Sequence, residues 1–182
     1  LFRSLPVDDV LHDGDLLDGI FRVIHVPGHC PGQVCLLIDD VLLTADHVLP
    51  NFSIFLSPES LTASNGVDHF LLSLRKVAAL SGVRLGLGGH DRPVPDLGAA
   101  VEKIEATQRQ RIQRVYEACA EASTIEELTA RLYPAVGDYD ELLALQKVGA
   151  YVEYLDQRGM LAIANLDEVA QDDSVAPRYV AA

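Results

Sequence analysis

Short apolar runs bounded by turn residues dominate the first third of the chain. A β-prone run at 21–26 ends at a Pro-Gly pair, and a continuous apolar run at 34–38 ends at an Asp-Asp pair. A third apolar run, at 41–45, ends at an aspartate. Short apolar runs between turn signals are typical of buried strands. We therefore predict three strands in this part of the chain.

The spacing of apolar positions becomes helical farther along. Residues 84–89 resemble a short strand that runs into a glycine turn. Before it, residues 67–80 carry one apolar helical face, made of Phe70, Leu71, Leu74 and Val77. Three strands, a helix and a further strand predict an α/β layered fold.

Three more helical patterns follow residue 95. They lie at about 97–122, 124–134 and 139–158. Thr124 and Glu127 have the spacing of a capping box, which marks the start of the second of these helices. A glycine at position 159 ends the third helix in the usual way.

This change in pattern predicts a boundary near residue 98. Three helices and the short apolar strand at 160–164 make a small winged-helix-like unit. The polar stretch at the end is predicted to be a mobile tail. The predicted regions are an α/β part at 1–97, the helical domain at 98–166 and the tail at 167–182.

Charge and composition narrow the classes of partner. The 182 residues carry a formal net charge of −13, which argues against a broad surface for nucleic acid or for anionic membranes. No apolar run reaches the roughly 20 residues of a membrane span, and no secretory signal is visible. The three cysteines have neither disulfide nor zinc-ribbon spacing, so we expect a cytoplasmic protein. The chain starts at Leu1 and its only methionine is Met160, so we expect a fragment of a longer protein.

Three metal-competent side chains follow predicted strand ends. His29 stands between two Pro-Gly pairs, Asp46 follows the run at 41–45, and His90 follows a glycine turn. Alone, each has a simpler interpretation: a turn histidine with a satisfied hydrogen bond, or an aspartate that caps a turn. A phosphate cradle at the glycines is disfavoured because no Lys-Ser/Thr pair follows them. Together, the three side chains favour a metal site.

The order and context of these residues resemble the metallo-β-lactamase superfamily. The sequence is most similar to its lactamase-β-2-like branch, which carries a C-terminal winged-helix extension. The features that match, in order, are the turn at His29, the run from Ala45 to Pro50, the Gly89-His90 turn and the helical tail. The resemblance implies the C-terminal half of a four-layer αββα sandwich plus a small winged-helix-like helical tail.

The resemblance also implies roles for the three residues. His29 would complete the first metal site, Asp46 would bridge two divalent metals and act in catalysis, and His90 would ligate the second metal. Two such ions hold a hydroxide nucleophile and polarise the substrate oxygen. Imidazole and carboxylate ligands suit zinc, with manganese and iron as open alternatives.

The chain also departs from the family pattern. Ala45 and Asp91 stand where the family usually has glycine, and Asp91 could accept a hydrogen bond from an imidazole. Cys30 adjoins the site and could tune it, although a small buried residue is the simpler interpretation. The family's H-x-H-x-D-H ligand run is absent from these 182 residues. The other histidines are predicted to be structural or surface residues, with His47 at most beside the ligands.

These observations predict a hydrolase of a small ester or thioester that is inactive as this fragment alone. We expect it to associate with the missing N-terminal half, or with itself, through an exposed sheet face. The helix at 138–158 has five acidic and two basic residues, so DNA binding is not expected and RNA is disfavoured. The alternative is a non-catalytic binding module, or a metal-free relative, that uses the helical tail.

Overall fold

The first part of the chain folds into one mixed five-stranded sheet. A computed structural model describes residues 7–90, 92–135 and 138–182. The strands lie side by side in chain order. They are β1 (Leu16–Leu17), β2 (Phe21–His25), β3 (Val34–Ile38), β4 (Val41–Ala45) and β5 (Leu85–Gly88). The strands predicted from the apolar runs are therefore confirmed.

The strand directions bring three strand ends to one edge of the sheet. Strand β3 is antiparallel to both β2 and β4, and β4 is parallel to β5. Strands β2, β4 and β5 therefore all run in the same direction. His29, Asp46 and His90 each follow the carboxyl end of one of these three strands.

Helix α1 (Val67–Ala78) follows β4 and has its predicted apolar face buried. This face packs in one core cluster with Ile24, Cys35 and Leu42 of the sheet. Apart from the buried Val23, the apolar side chains on the other face of the sheet are only partly covered and do not pack into that cluster. These outward-facing residues include Leu36, Ile38, Val41, Leu43, Leu85 and Leu87.

The remaining elements are mostly helical. They are α2 (Leu97–Ala118), α3 (Ile125–Leu132), α4 (Asp138–Asp156), β6 (Leu161–Ile163), α5 (Leu166–Val169) and β7 (Tyr179–Ala181). The capping box is confirmed, because Thr124 accepts from the Glu127 amide while the Glu127 carboxylate accepts from the Thr124 amide. None of the described helices is long and apolar enough to cross a membrane.

The sequence predicts a mobile tail at 167–182, but the structure places a helix and a strand there. Strand β7 pairs antiparallel with β6. The Ala181 amide also donates to the Cys119 carbonyl at 2.8 Å, and the Arg178 side chain contacts Glu127 at 2.8 Å. The polar composition of 167–174 gives no local sign of the strand that follows. That strand forms because it pairs with residues that lie earlier in the sequence.

One apolar cluster joins the sheet part and the helical part. It extends from Ile24 through α1 to Leu161. Within it, the buried Tyr151 hydroxyl donates to Gln108 at 2.6 Å, which satisfies both polar groups. The domain boundary near residue 98 and the winged-helix assignment stay predictions.

Polar contacts from α4 also hold the segment that leads into α1. The Glu153 carboxylate accepts from the backbone amides of Glu59 at 2.6 Å and Ser60 at 2.9 Å. Arg158, two residues beyond the end of α4, donates to Asp68 at 2.6 Å, and Lys147 of α4 donates to Ser53 at 2.7 Å. Helix α4 and the residues just after it therefore fix the segment 53–68 at several points.

The Glu153→Gln variant is expected to lower the free energy of unfolding by about 1–2 kcal/mol. An amide offers one acceptor oxygen, and its NH₂ group would face the second backbone N–H that the carboxylate now satisfies. Urea denaturation measures the difference. Glu102→Gln, on an exposed position of α2, is the matched control. Equal losses in the two variants would contradict this role of Glu153.

Candidate metal centre

The backbone around His29 fixes both the position and the tautomer of its ring. Gly28, just before it, pairs with the start of α1, since its carbonyl accepts from the Gly66 amide at 3.0 Å. The Nδ1 atom of His29 lies 2.7 Å from the Phe55 carbonyl oxygen. A carbonyl can only accept, so Nδ1 carries the proton and Nε2 is left with a free lone pair. A fixed tautomer of this kind is what a metal-binding imidazole requires.

Asp46 is positioned by a tight turn at the end of β4. Ala45 has a φ of 44°, in the left-handed region that favours glycine. An alanine there costs about 1–2 kcal/mol, which gives a physical reason for the glycine usual at this position in the family. The Ala45 carbonyl accepts from the Gly89 amide at 2.8 Å and thereby ties the turn to the end of β5.

Two glycines at the end of β5, Gly88 and Gly89, leave room for neighbouring side chains of the candidate centre. A Cβ on Gly89 would lie 2.7 Å from Oδ1 of Asp46, and a Cβ on Gly88 would lie 2.6 Å from Leu49. Real Cβ atoms essentially never approach so closely. The glycine turn before His90 therefore leaves the space that Asp46 and Leu49 take up beside it.

The two imidazoles face different oxygens of the same carboxylate. Nε2 of His29 lies 3.9 Å from Oδ2 of Asp46, and Nε2 of His90 lies 3.6 Å from Oδ1. Both distances are too long for a direct hydrogen bond. Two ligands that each lie about 2.1 Å from one ion at a tetrahedral angle are about 3.4 Å apart, close to these separations. The residues therefore fit a carboxylate that bridges two metal ions.

Each side of this carboxylate supplies only two donors. Among the described residues, no group of three His, Cys, Asp or Glu side chains converges to hold one ion. The centre is also open, since 66% of the His90 side chain is exposed. Asp91 lies outside the described residues. Cys30 donates to Gln33 of its own turn at 3.3 Å.

His47 is a buried, neutral neighbour of the centre. Neither ring nitrogen has a hydrogen-bond partner among the described residues. Burial lowers the pKa of His47 to about 4, and the nearby Ser73 backbone acts in the opposite direction. The ring packs edge-on against Phe70 with centroids 5.2 Å apart. His47 is therefore uncharged at neutral pH.

The remaining histidines make contacts away from the centre. His25 contacts the Pro31 carbonyl at 2.7 Å, and His69 contacts Glu59 at 2.8 Å. His12 lies 3.6 Å from Asp15 at an exposed site. These contacts agree with structural or surface roles.

Sequence reasoning missed the contribution of the loop at 50–58. Phe55 supplies the carbonyl that orients His29. Phe52, which is 56% exposed, lies with its ring centroid 6.3 Å from that of His90. The aromatic residues at 52 and 55 in a loop otherwise rich in turn formers were the available signal.

Solved structures with the same fold are known. A metallo-β-lactamase family protein from Thermus thermophilus aligns with 94% of this chain at 26% identity and a TM-score of 0.78. A β-lactamase domain protein from Burkholderia ambifaria aligns with 99% at 24% identity and a TM-score of 0.83. The chain spans 54% of the length of each. No protein-family model matches the sequence, and no curated protein matches it significantly.

The fold and the centre together define an α/β protein with His, Asp and His at three strand ends on one sheet edge. The match to the Thermus protein over nearly the whole chain agrees with the resemblance carried by the turns at His29, Asp46 and His90. The chain belongs to the metallo-β-lactamase superfamily, and its sheet and helices correspond to half of that layered fold.

Proposed function

We propose that this chain forms part of a metal-dependent hydrolase that acts on a small ester or thioester. The supporting observation is that two imidazole Nε2 atoms lie 3.9 and 3.6 Å from different oxygens of Asp46. A bridging carboxylate between two imidazole-bearing sides is typical of a binuclear centre. Imidazole and carboxylate donors suit zinc.

The residues of this chain would hold the metal ions and orient the ligand atoms, and the ions would supply the reactivity. When bound, two divalent ions would activate a water and polarise the substrate oxygen. His29 presents Nε2 because the Phe55 carbonyl retains the Nδ1 proton. Asp46 keeps its two oxygens directed to different sides because the turn at Ala45 is tied to Gly89. The Phe52 ring lies beside that of His90, with the ring centroids 6.3 Å apart.

The donor set is incomplete within the described residues, so the chain alone is expected to bind metal weakly. Zinc takes four donors, or three plus water. Each side of Asp46 offers one imidazole and one carboxylate oxygen. We propose that further donors come from the other half of the layered fold, which would carry the H-x-H-x-D-H run.

The outward face of the sheet also favours association with the other half of the layered fold. Its partly exposed apolar side chains, among them Leu36, Leu43 and Leu87, form a surface that monomeric proteins normally cover. We propose that the second sheet of the fold covers it. Association of the isolated chain with itself is the other expected outcome, and sedimentation analysis separates it from a lone 19.8 kDa monomer, which would contradict both.

Metal binding and turnover test the function. We expect calorimetric titration of the 182-residue chain to show weak zinc binding and no hydrolysis of a thioester or of p-nitrophenyl acetate. A longer polypeptide that includes an H-x-H-x-D-H run is expected to bind two ions and to hydrolyse such substrates, with loss of activity in chelator. Metal-free turnover by that polypeptide would contradict the proposal. If the longer protein lacks the run, the binding-module alternative is favoured instead.

A further inference from the structure

An open groove lies between α3 and the first half of α4. It consists of two pockets, with volumes of about 300 and about 210 Å³. Both pockets have Thr129 and Glu141 in their walls, so they are continuous with each other. Pockets that bind ligands begin at about 300 Å³, so the groove has room for side chains of another molecule.

One face of α3 forms the first wall. Glu126, Thr129 and Ala130 line the groove with the spacing i, i+3 and i+4, which places them on one side of the helix. Tyr133 extends this wall just past the end of α3. Thr129 is only 4% exposed, and its hydroxyl already donates to the Ile125 carbonyl at 2.7 Å. The bottom of the groove therefore offers no free hydroxyl donor and favours apolar groups.

The start of α4 forms the facing wall and leaves apolar side chains in solvent. Leu142 and Leu145 line the groove, and 49% of Leu142 is exposed. Tyr139, about one turn earlier on α4, is 71% exposed. Another side of the same helix is already in the core, since Val148 is fully buried. Helix α4 is thus apolar on two sides, although a surface helix normally has one apolar face. The second apolar side is the kind of surface that a partner covers.

Carboxylates flank the groove, and no Arg, Lys or His side chain lines it. Glu126 and Glu141 lie on opposite walls, and both are exposed. Neither makes an ion pair or a side-chain hydrogen bond with any other described residue. Arg131, the cation of α3, instead donates to the Ala118 carbonyl. An apolar groove between two uncompensated carboxylates is complementary to a partner that is both apolar and basic.

The rest of this protein is a poor occupant for the groove. The second sheet of the fold is proposed to cover the outward sheet face, whereas α1 and the helical part share a core on the other face. A second copy bound symmetrically would bring the same carboxylates against each other. Anionic membrane lipids would also be repelled by them.

We infer that this groove is a docking surface for a basic, amphipathic segment of another protein. Apolar side chains of that segment contact Leu142, Leu145 and Ala130, and its lysines or arginines pair with Glu126 and Glu141. A helix that presents apolar residues at i, i+3 or i+4 and i+7 is the usual occupant of such a groove. The inference concerns the helical part and does not depend on hydrolase activity.

NMR titration of the 182-residue chain tests the groove with a defined peptide. The probe is a capped helical peptide of leucine, alanine and lysine, about twelve residues or about 18 Å long, with the leucines on one face. One control peptide has the same composition in an order that scatters the leucines, and a second has glutamate in place of lysine. We expect saturable shifts of the Ala130 and Leu142 amides with the probe and none with the glutamate peptide.

Three substitutions at exposed positions of the groove are expected to weaken binding of the probe. Ala130→Lys fills the groove and adds a like charge, so we expect a loss of more than about tenfold. Leu142→Ala removes an apolar contact, with an expected loss of about tenfold. Glu126→Gln removes one rim charge, with an expected loss of about two- to fivefold and a weaker dependence on salt.

Glu102→Gln is the charge-matched control. Glu102 is exposed on α2, about 24 Å along that helix from Ala118, which lies next to α3. We expect unchanged affinity for the probe. Equal weakening by this control, or equal binding of the peptide with scattered leucines, would show general attraction to an acidic chain and overturn the inference. A dimer that Ala130→Lys dissociates would also overturn it, in favour of a second copy as the occupant.

Discussion

The Gly28→Ala variant is expected to lose more than about 3 kcal/mol of unfolding free energy, from overpacking and backbone strain together. Gly28 has a φ of 129°, and a Cβ there would lie 2.5 Å from the backbone N and Cα of Phe70. Phe70 is fully buried in α1, so neither the helix nor a side-chain rotamer can relieve the contact. Urea denaturation measures the loss.

Gly32→Ala provides a control within the same loop. Gly32 has no atom within 4 Å of the position its Cβ would take, and its φ is not positive. We expect little change in stability from that substitution. If the two alanine variants unfold at the same urea concentration, the close packing of Gly28 against α1 is not the constraint described above. The His29 Nδ1 resonance gives a second readout, because the ring follows Gly28 directly.

The Asp46→Asn variant is expected to lower metal affinity more than 100-fold in the longer polypeptide and to abolish turnover. Loss of a partner that only orients a ligand costs about 10–100-fold, and Asp46 is proposed to contact both ions. An amide cannot offer two anionic oxygens to opposite sides. Asp46 is about one-third exposed, so the fold should persist, and circular dichroism checks that it does.

Asp40→Asn is the matched change for this prediction. It also removes one carboxylate from a turn of the sheet, but Asp40 lies at the opposite edge and pairs with Arg84. Metal content and turnover should stay close to those of the unsubstituted protein. Retention of two tightly bound ions by the Asp46→Asn protein would be incompatible with a bridging role.

The sequence was sufficient to predict strands β2 to β5, the first helix and the three strand-end residues. The runs at 21–26, 34–38 and 41–45 are apolar and end in turn residues, which are local signals. These local signals do not show in which direction each strand runs within the sheet. That β2, β4 and β5 run the same way depends on β3 pairing between two of them and on the parallel crossover to β5.

Features that depend on distant partners escaped prediction. The Phe55 carbonyl orients His29 from 26 residues away, and the loop that holds it has no periodicity. The polar composition around strand β7 predicts a tail, because the partners of this strand, β6 and the Cys119 carbonyl, lie elsewhere in the chain. Burial of His47 likewise follows from packing against Phe70 rather than from its neighbours in sequence.

Because the loop at 50–60 is attached to α4, sequence changes in that helix can alter the candidate metal centre. Lys147 and Glu153 hold that loop at its two ends, and the carbonyl of Phe55 between them sets the lone pair of His29. Grafting the helices of a relative onto this sheet would therefore retune the candidate centre even with every strand-end residue kept. Divergence in reactivity can thus begin in the helices, well outside the set of metal-facing side chains.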